Sequence, residues 1–193
     1  MNYINDIPLY NSDEENVNVV VEICPGTSDK NELCEPGFEK LVCVRQVVGK
    51  YPFYYGSFPQ TYAGDKDPLD FILFTDIKHN NLDLVKVDVI GAIKTTDAGE
   101  QDDKIICVEC ASKLMNVKKQ LRKAMKFLKT YKGKEADMKI TKKLASMEEA
   151  ETILKSAHDA WKEHVKPIVV RTAKISKCNN TTTKSTRVKI VKR

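Results

Sequence analysis

The chain has 193 residues, of which 41% are hydrophobic and 31% charged, which suits one compact domain with additions and is too short for two ordinary domains. No run approaches the roughly eighteen apolar residues of a membrane span and the first residues do not form a secretory signal, so we expect a cytoplasmic protein without membrane insertion. Residues 166–193 carry nine Lys or Arg and no Asp or Glu, so the net charge of +5 leaves −4 on residues 1–165, and basicity alone does not indicate a nucleic-acid-binding protein.

Short β-rich runs dominate the first 110 residues, and turn-forming Pro, Gly, Asn or Asp bounds each of them. Runs of this length and spacing predict a meandering sheet or a small barrel. The predicted strands cover residues 17–23, 40–48, 69–74, 85–93 and 104–108.

Two amphipathic helices are predicted after these strands, because apolar residues now recur at intervals of three and four. The first apolar stripe comprises Leu114, Val117, Leu121, Ala124, Leu128 and Tyr131, and the opposite face carries Lys118, Lys119, Arg122, Lys123 and Lys126. The second helix begins at Ser146, with Glu149 in capping-box spacing, and its stripe comprises Met147, Ala150, Leu154, Ala157 and Trp161. We expect both stripes to pack on the sheet.

A basic extension, residues 167–193, follows the main domain of residues 1–166. Its runs 168–175 and 187–191 alternate apolar and polar residues across an Asn-Asn-Thr-Thr-Thr stretch, a pattern that predicts a β-hairpin. Because an isolated hairpin is marginal in water, its apolar face must rest on the barrel or on a neighbouring subunit, and we favour the subunit. The alternative is a basic tail that binds anionic partners nonspecifically.

The most informative segment is Asp65-Lys-Asp67-Pro-Leu-Asp70, which leads directly into the apolar run of residues 71–74. Three carboxylates this close together repel one another unless a cation lies among them. An EF-hand loop starting at Asp65 would need Gly at its sixth position and Glu at its twelfth, where the chain has Asp70 and Asp76, so a calcium-sensor loop is not expected.

A second acidic loop, residues 97–104, repeats this arrangement after the predicted strand 85–93. Its candidate ligands are again hard oxygen donors without His or Cys, a donor set that favours magnesium or manganese over zinc or copper. Either loop alone is more often a solvated acidic turn. Cationic and phenolic residues accompany the loops and would suit a small, highly anionic phosphate compound: Lys30, Arg45, Tyr51, Tyr55, Lys104, Tyr131 and Lys132.

These segments resemble the soluble family I inorganic pyrophosphatases across roughly residues 17–165. Residues 65–70 are similar to the family's D-x-D-P-x-D motif, although Lys66 stands where the family often has Gly or Asn. Four further segments resemble family motifs in the family's order: Val21-Glu22-Ile23 with Lys30-Asn-Glu32, Tyr51-Pro-Phe-Tyr-Tyr55-Gly56, residues 96–104, and Tyr131-Lys132.

The resemblance implies an α+β fold, a small closed OB-like barrel with two helices packed outside, and hydrolysis of pyrophosphate to two phosphates in phosphate metabolism. It implies several Mg²⁺ ions, with Mn²⁺ as a possible substitute, held by Asp65, Asp70, Asp97, Asp102 and Glu32. It gives Asp67 the role of general base and makes Tyr55 catalytic. The implied substrate-binding residues are Lys30, Arg45, Tyr55, Lys104, Tyr131 and Lys132, with Glu22 and Tyr51 as further active-site residues.

Two alternatives remain at this stage. An OB-like barrel with a basic helix face could bind single-stranded nucleic acid, but five aspartates in the groove would repel a phosphate backbone, so we expect no specific nucleic-acid partner. A different phosphohydrolase could use the same carboxylates, since such metal sites serve many phosphate reactions. The family assembles as homo-oligomers, and we expect the same of this chain.

Overall fold

The computed structural model describes residues 1–11, 16–35, 37–113, 116–133, 137–141, 144–166 and 168. In the described part, the strands in chain order are β1 (Val17–Ile23), β2 (Asp29–Leu33), β3 (Leu41–Gln46), β4 (Tyr54–Ser57), β5 (Asp70–Phe74), β6 (Leu84–Ile93), β7 (Thr95–Asp97), β8 (Glu100–Gln101), β9 (Lys104–Glu109) and β10 (Met138–Ile140). The helices are α1 (Val117–Leu128) and α2 (Met147–His164).

Five strands close into a barrel in the order β1, β4, β5, β9, β6. All neighbours are antiparallel except β5 and β9, which run parallel with Asp70 opposite Lys104. The barrel is tight where β1 meets β4, because a Cβ on Gly56 would lie 2.1 Å from the Val20 carbonyl oxygen. Only glycine fits at that crossing.

Strand β5 is buried on both faces, which explains its unbroken apolar sequence. Phe71 and Leu73 belong to a core cluster that includes residues of β1, β6, β9 and α2, whereas Ile72 and Phe74 belong to a second cluster shared with α1. The strand therefore links the two helices through opposite faces, and its first residue, Asp70, remains at the rim.

The predicted strands are confirmed to within one residue for β1, β5, β6 and β9, and the α+β barrel with two packed helices is confirmed. The strand predicted over residues 40–48 spans Leu41–Gln46 and lies outside the barrel, paired with β2 in a separate two-stranded sheet. β4 completes the barrel in its place. β4 was not predicted because Tyr-Tyr-Gly-Ser is short and contains a turn residue.

Both helices are confirmed, with corrections. α1 spans Val117–Leu128, so Tyr131 lies beyond its end, and Leu114 is outside the described residues. The predicted capping box of α2 is present, since the Ser146 hydroxyl accepts from the Glu149 amide and the Glu149 carboxylate accepts from the Ser146 amide. Met147 is exposed, because the first turn extends past the core, and His158 is buried in the stripe instead.

Ile168 is the one described residue of the hairpin predicted for residues 167–193, and its conformation is helical, with its amide donating to the Val165 carbonyl oxygen over 3.0 Å. The rest of that prediction lies outside the described residues. Neither α1 nor α2 has the length and apolar composition that a membrane crossing would require.

Candidate active site

The parallel pairing of β5 with β9 places a lysine among the aspartates of both acidic loops. Lys104 is 1% exposed, and its Nζ donates to the carboxylates of Asp70 and Asp102. The Tyr55 hydroxyl donates to Asp70 as well. One buried ammonium group therefore connects Asp70 and Asp102, which are 32 positions apart in the chain (102 − 70).

The first acidic loop presents two more carboxylates beside Asp70. Lys66 has a φ of 73°, and the Asp67 amide donates to Asp65 Oδ1 over 3.2 Å. A positive φ is adopted most readily by Gly and Asn, so the turn favours the Gly or Asn that the motif often has where this chain has Lys66. The turn directs both carboxylates into the cavity at the barrel rim.

The second acidic loop is a short β-hairpin rather than the irregular loop predicted. β7 pairs with β8 across Ala98 and Gly99, both with positive φ. Asp97 is bound by Lys132 Nζ, which also lies 3.6 Å from Asp102 Oδ2. The neighbouring Asp103 does not line the cavity, because its carboxylate accepts from the Thr95 amide (2.9 Å) and from Gln101 Nε2 (2.6 Å).

Cations line the opposite wall, on the sheet formed by β2 and β3. Lys30 lies opposite Arg45 in the register of this sheet. Lys30 Nζ is 3.0 Å from Glu32 Oε1 and 4.7 Å from the centre of the Tyr55 ring. The Arg45 guanidinium is 5.9 Å from the centre of the Tyr131 ring. Phenolic rings therefore hold the two cations at the cavity wall.

Apart from Lys66 and Asp103, the acidic, cationic and phenolic side chains described above face one cavity of about 320 Å³. Its charged lining comprises eight carboxyl groups, those of Glu22, Glu32, Asp65, Asp67, Asp70, Asp97, Glu100 and Asp102, and four cations, those of Lys30, Arg45, Lys104 and Lys132. Acidic groups therefore exceed cations by four. Both acidic loops therefore open into the same cavity.

The excess of acidic groups changes their proton affinities. Burial, with smaller effects of Asp102 and Asp70, raises the pKa of Asp65 to about 6, and burial with Glu32 nearby raises the pKa of Asp67. Burial raises the pKa of Glu22 to about 8. Burial would raise the pKa of Asp70 too, but Lys104 and Lys30 outweigh it and lower that pKa.

A family model of inorganic pyrophosphatases matches residues 19–162, which is most of the chain and includes every charged residue of the cavity. The chain belongs to the soluble family I inorganic pyrophosphatases.

Individual members of the family agree with this assignment. The inorganic pyrophosphatase of Picrophilus torridus is 32% identical over 142 residues, covering 68% of this chain and 80% of that protein. That of Neisseria meningitidis is 31% identical over 156 residues, covering 75% and 88%. The crystal structure of the type I inorganic pyrophosphatase from P falciparum superposes with a TM-score of 0.77 at 24% identity, covering 93% of this chain and 68% of that one, which shows a common OB-like fold.

Two residues differ from the placement that the pyrophosphatase motifs imply. Tyr51 does not line the cavity: its ring packs behind Tyr55 and Tyr131, and its buried hydroxyl has no hydrogen-bond partner among the described residues. Ser57 was not predicted, yet it lines the cavity and its hydroxyl donates to Glu22 over 3.1 Å. Its spacing of two from Tyr55 could have revealed it once β4 was known, since alternate residues of a strand share a face.

Divalent metal ions suit the donors of this pyrophosphatase cavity. Among the described residues, no three Asp, Glu, His or Cys side chains lie close enough to hold a metal ion by themselves, because Lys104 and Lys132 lie among the aspartates. All the carboxyl groups are nevertheless hard oxygen donors, and their excess over the cations is the charge that divalent ions would neutralise. The residues present therefore fit the ions that this family requires.

Proposed function

We propose that this chain hydrolyses inorganic pyrophosphate to two phosphates with Mg²⁺ as its cofactor. The observation that supports this most strongly is a single cavity that combines eight carboxyl groups with four phosphate-binding cations. Carboxylates alone would repel pyrophosphate, and cations alone would bind it without activating water. Both sets together suit a substrate that reaches the site with divalent ions.

Asp65, Asp70 and Asp102 are the residues that would hold the tightest ions, and Asp97 and Glu32 would hold further ones. A bound divalent ion lowers the pKa of coordinated water towards about 7 and shields the charge of the phosphates. The excess of acidic groups does not by itself distinguish Mg²⁺ from Mn²⁺, which we expect to be a possible substitute.

Asp67 is the best placed carboxylate to accept a proton from water. Asp70, Asp97 and Asp102 are each engaged by a lysine, and Asp65 Oδ1 accepts from the Asp67 amide. The Asp67 carboxylate, by contrast, forms no ion pair and accepts no hydrogen bond within the described part of the chain. Water can reach it at the cavity, yet partial desolvation there, together with Glu32, raises its pKa, which makes it a stronger base than an ordinary aspartate. We therefore propose Asp67 as the general base.

The cationic and phenolic residues would hold the two phosphates in place. Lys30, Arg45, Tyr131 and Lys132 all line the cavity, and Arg45 and Lys132 both lie against the Tyr131 ring. Lys104 and Tyr55 share contacts with Asp70, so they would orient this carboxylate in addition to contacting the substrate. Such fixed donors stabilise negative charge that develops on the phosphate oxygens in the transition state.

Phosphate release from several substrates tests this proposal and separates it from another phosphohydrolase activity. Pyrophosphate, triphosphate, ATP and a phosphomonoester are each supplied with Mg²⁺, Mn²⁺ or Ca²⁺. We expect pyrophosphate with Mg²⁺ to be hydrolysed fastest by a wide margin. Ca²⁺ should inhibit, because its longer and looser oxygen coordination misplaces water and phosphate. A phosphomonoester hydrolysed as fast as pyrophosphate would refute the proposal.

A further inference from the structure

The exposed side of α1 carries an unusual concentration of positive charge. We define the cationic face as six exposed residues on α1 and at its C-cap: Lys118, Lys119, Arg122, Lys123, Lys126 and Lys129. No acidic residue occurs between residues 116 and 133. None of the six forms an ion pair with a carboxylate among the residues that the structure describes.

This concentration of positive charge destabilises α1 itself. Like charges four residues apart, as in Lys118 with Arg122 and Lys119 with Lys123, destabilise a helix. Two of the lysines lie in the first turn, where the helix dipole disfavours cations, and Asn116 supplies no capping hydrogen bond from its side chain. α2 shows the opposite pattern, with Glu148 and Glu149 in its first turn and a complete capping box. A helix that violates these rules where its neighbour follows them is expected at a functional surface.

The other side of α1 is already occupied. Ala124, Phe127 and Leu128 are buried against the barrel, where Phe127 lies 4.8 Å from the Tyr51 ring. A helix that inserts into a membrane surface needs a free apolar face to enter the lipid, which α1 does not have. A partner of α1 therefore meets only the cationic face.

We propose that the cationic face binds the phosphodiester backbone of nucleic acid without reading its sequence. Lys118, Arg122, Lys126 and Lys129 follow one another at about one-turn intervals over roughly 16 Å, so they can contact successive phosphates. Five of the six residues are lysines, which bind phosphates as point charges, and α1 exposes no aromatic side chain that could stack on bases. The binding surface lies outside the acidic cavity, so the aspartates do not oppose it.

Nucleic-acid binding has a chemical link to the proposed function. This link is the only part of the inference that depends on pyrophosphate being the substrate. Each nucleotide added to a growing nucleic-acid chain from a nucleoside triphosphate releases one pyrophosphate. A pyrophosphatase held on nucleic acid would therefore be close to a reaction that produces its substrate.

The test is equilibrium binding of the full chain to a fluorescent 20-base-pair DNA duplex between 50 and 200 mM salt. Six phosphate contacts predict a slope of log affinity against log salt of about −5, and an affinity loss of about 10³-fold over this range. The triple variant Lys118→Gln/Arg122→Gln/Lys126→Gln removes three members of the row along α1 and should reduce the slope by about 3. The matched control Lys40→Gln/Lys78→Gln/Lys86→Gln removes three exposed lysines outside α1 and should leave the salt slope unchanged. Both variants should release phosphate from pyrophosphate within about two-fold of the wild-type rate.

The basic extension is the main rival for this binding, and further arms distinguish it. If Arg171→Gln/Lys174→Gln/Lys177→Gln abolishes duplex binding and the α1 variant retains it, the proposal is refuted. It is also refuted if the α1 substitutions weaken binding to anionic lipid vesicles or to inorganic polyphosphate but not to the duplex. Equal binding to duplexes of unrelated sequence supports it, whereas a strong sequence preference contradicts a backbone-only contact.

Discussion

The two ends of the β5–β9 pair, about 13 Å apart, carry clusters of charged residues that differ in one respect. At the end of Phe74 and Val108, Glu109 Oε2 accepts from the Thr75 hydroxyl over 2.6 Å and lies 2.9 Å from His79 Nε2. The backbone amide of His79 donates to the Tyr54 hydroxyl. Here each polar group has a partner, so the cluster is a structural one.

At the other end, beginning at Asp70 and Lys104, acidic groups exceed cations by four and surround open space. Neither cluster is unusual in its residue types. The difference is not one of net charge, since the carboxylates of Glu109 and Asp83 both face His79 at the first end. The polar groups at that end contact one another, whereas those at the end of Asp70 and Lys104 line a cavity. Charged groups that face a cavity indicate a bound ligand, whereas a cluster closed on itself indicates a structural role.

The largest expected effect is that of Asp67→Asn on turnover. Removing a general base commonly lowers kcat by about 10²–10⁴-fold, and the substitution preserves shape. The rate of phosphate release measures it, with Glu109→Gln at the opposite end as a control that should retain nearly full activity. Asp70→Asn should instead raise the Mg²⁺ concentration needed for half-maximal activity. If both aspartate variants lose metal affinity equally, Asp67 is another ligand and not the base.

Lys104→Gln should cause the largest loss of stability. It leaves Asp70 and Asp102 without their shared, fully buried cation, a change that typically costs about 3–5 kcal/mol. Urea denaturation in metal-free buffer measures the free energy of unfolding. Lys94→Gln removes an exposed pair with Glu149 and should cost less than about 1 kcal/mol. If Lys104→Gln and Lys94→Gln lower the free energy of unfolding by similar amounts, Lys104 contributes no more to stability than an exposed ion pair.

Glu22 should make stability depend on pH. Its pKa is about 8 in the folded protein because of burial, whereas the unfolded chain ionises near 4.5. The folded state therefore binds more protons between these values, and stability should fall as pH rises from about 5 to 8. In thermal melts, Glu22→Gln should reduce the fall in melting temperature between about pH 5 and 8. The substitution Glu151→Gln, at an exposed position, should leave that fall unchanged. An unchanged fall in Glu22→Gln would mean that Glu22 is ionised in the fold.

The smallest effect is expected at the end of the β5–β9 pair that lies opposite the cavity. Glu109→Gln should lower the free energy of unfolding by about 1–3 kcal/mol, because the contacts with Thr75 and His79 weaken in a largely buried position. Thermal melts and the phosphate assay are run on the same preparation. A change in activity of more than ten-fold would contradict the structural role of this cluster.

The sequence predicted those features that depend only on neighbouring residues. The capping box of Ser146 and Glu149 is one of them. The first acidic loop is another, because three carboxylates within six residues repel one another unless a cation lies among them. β4 was missed because its place in the barrel depends on pairing with β1 and β5, not on its own composition. Ser57 was missed for the same reason.

The balance of charge could not be predicted from local sequence. Lys104 reaches Asp70 only because β5 and β9 are parallel in one register, and Lys132 reaches Asp97 only because the chain returns after α1. The role of residues 167–193, assembly into homo-oligomers and cytoplasmic location stay predictions.

Calorimetric titration of Mg²⁺ into the metal-free protein tests most directly whether unbalanced charge at this end of the barrel forms a metal site. We expect more than one Mg²⁺ ion to bind to the wild-type chain, Asp70→Asn to weaken the tightest binding by at least about ten-fold, and Glu109→Gln to leave it unchanged. Magnesium binding that is absent from the wild-type chain, or that survives Asp70→Asn unaltered, would contradict a metal-dependent active site in this cavity.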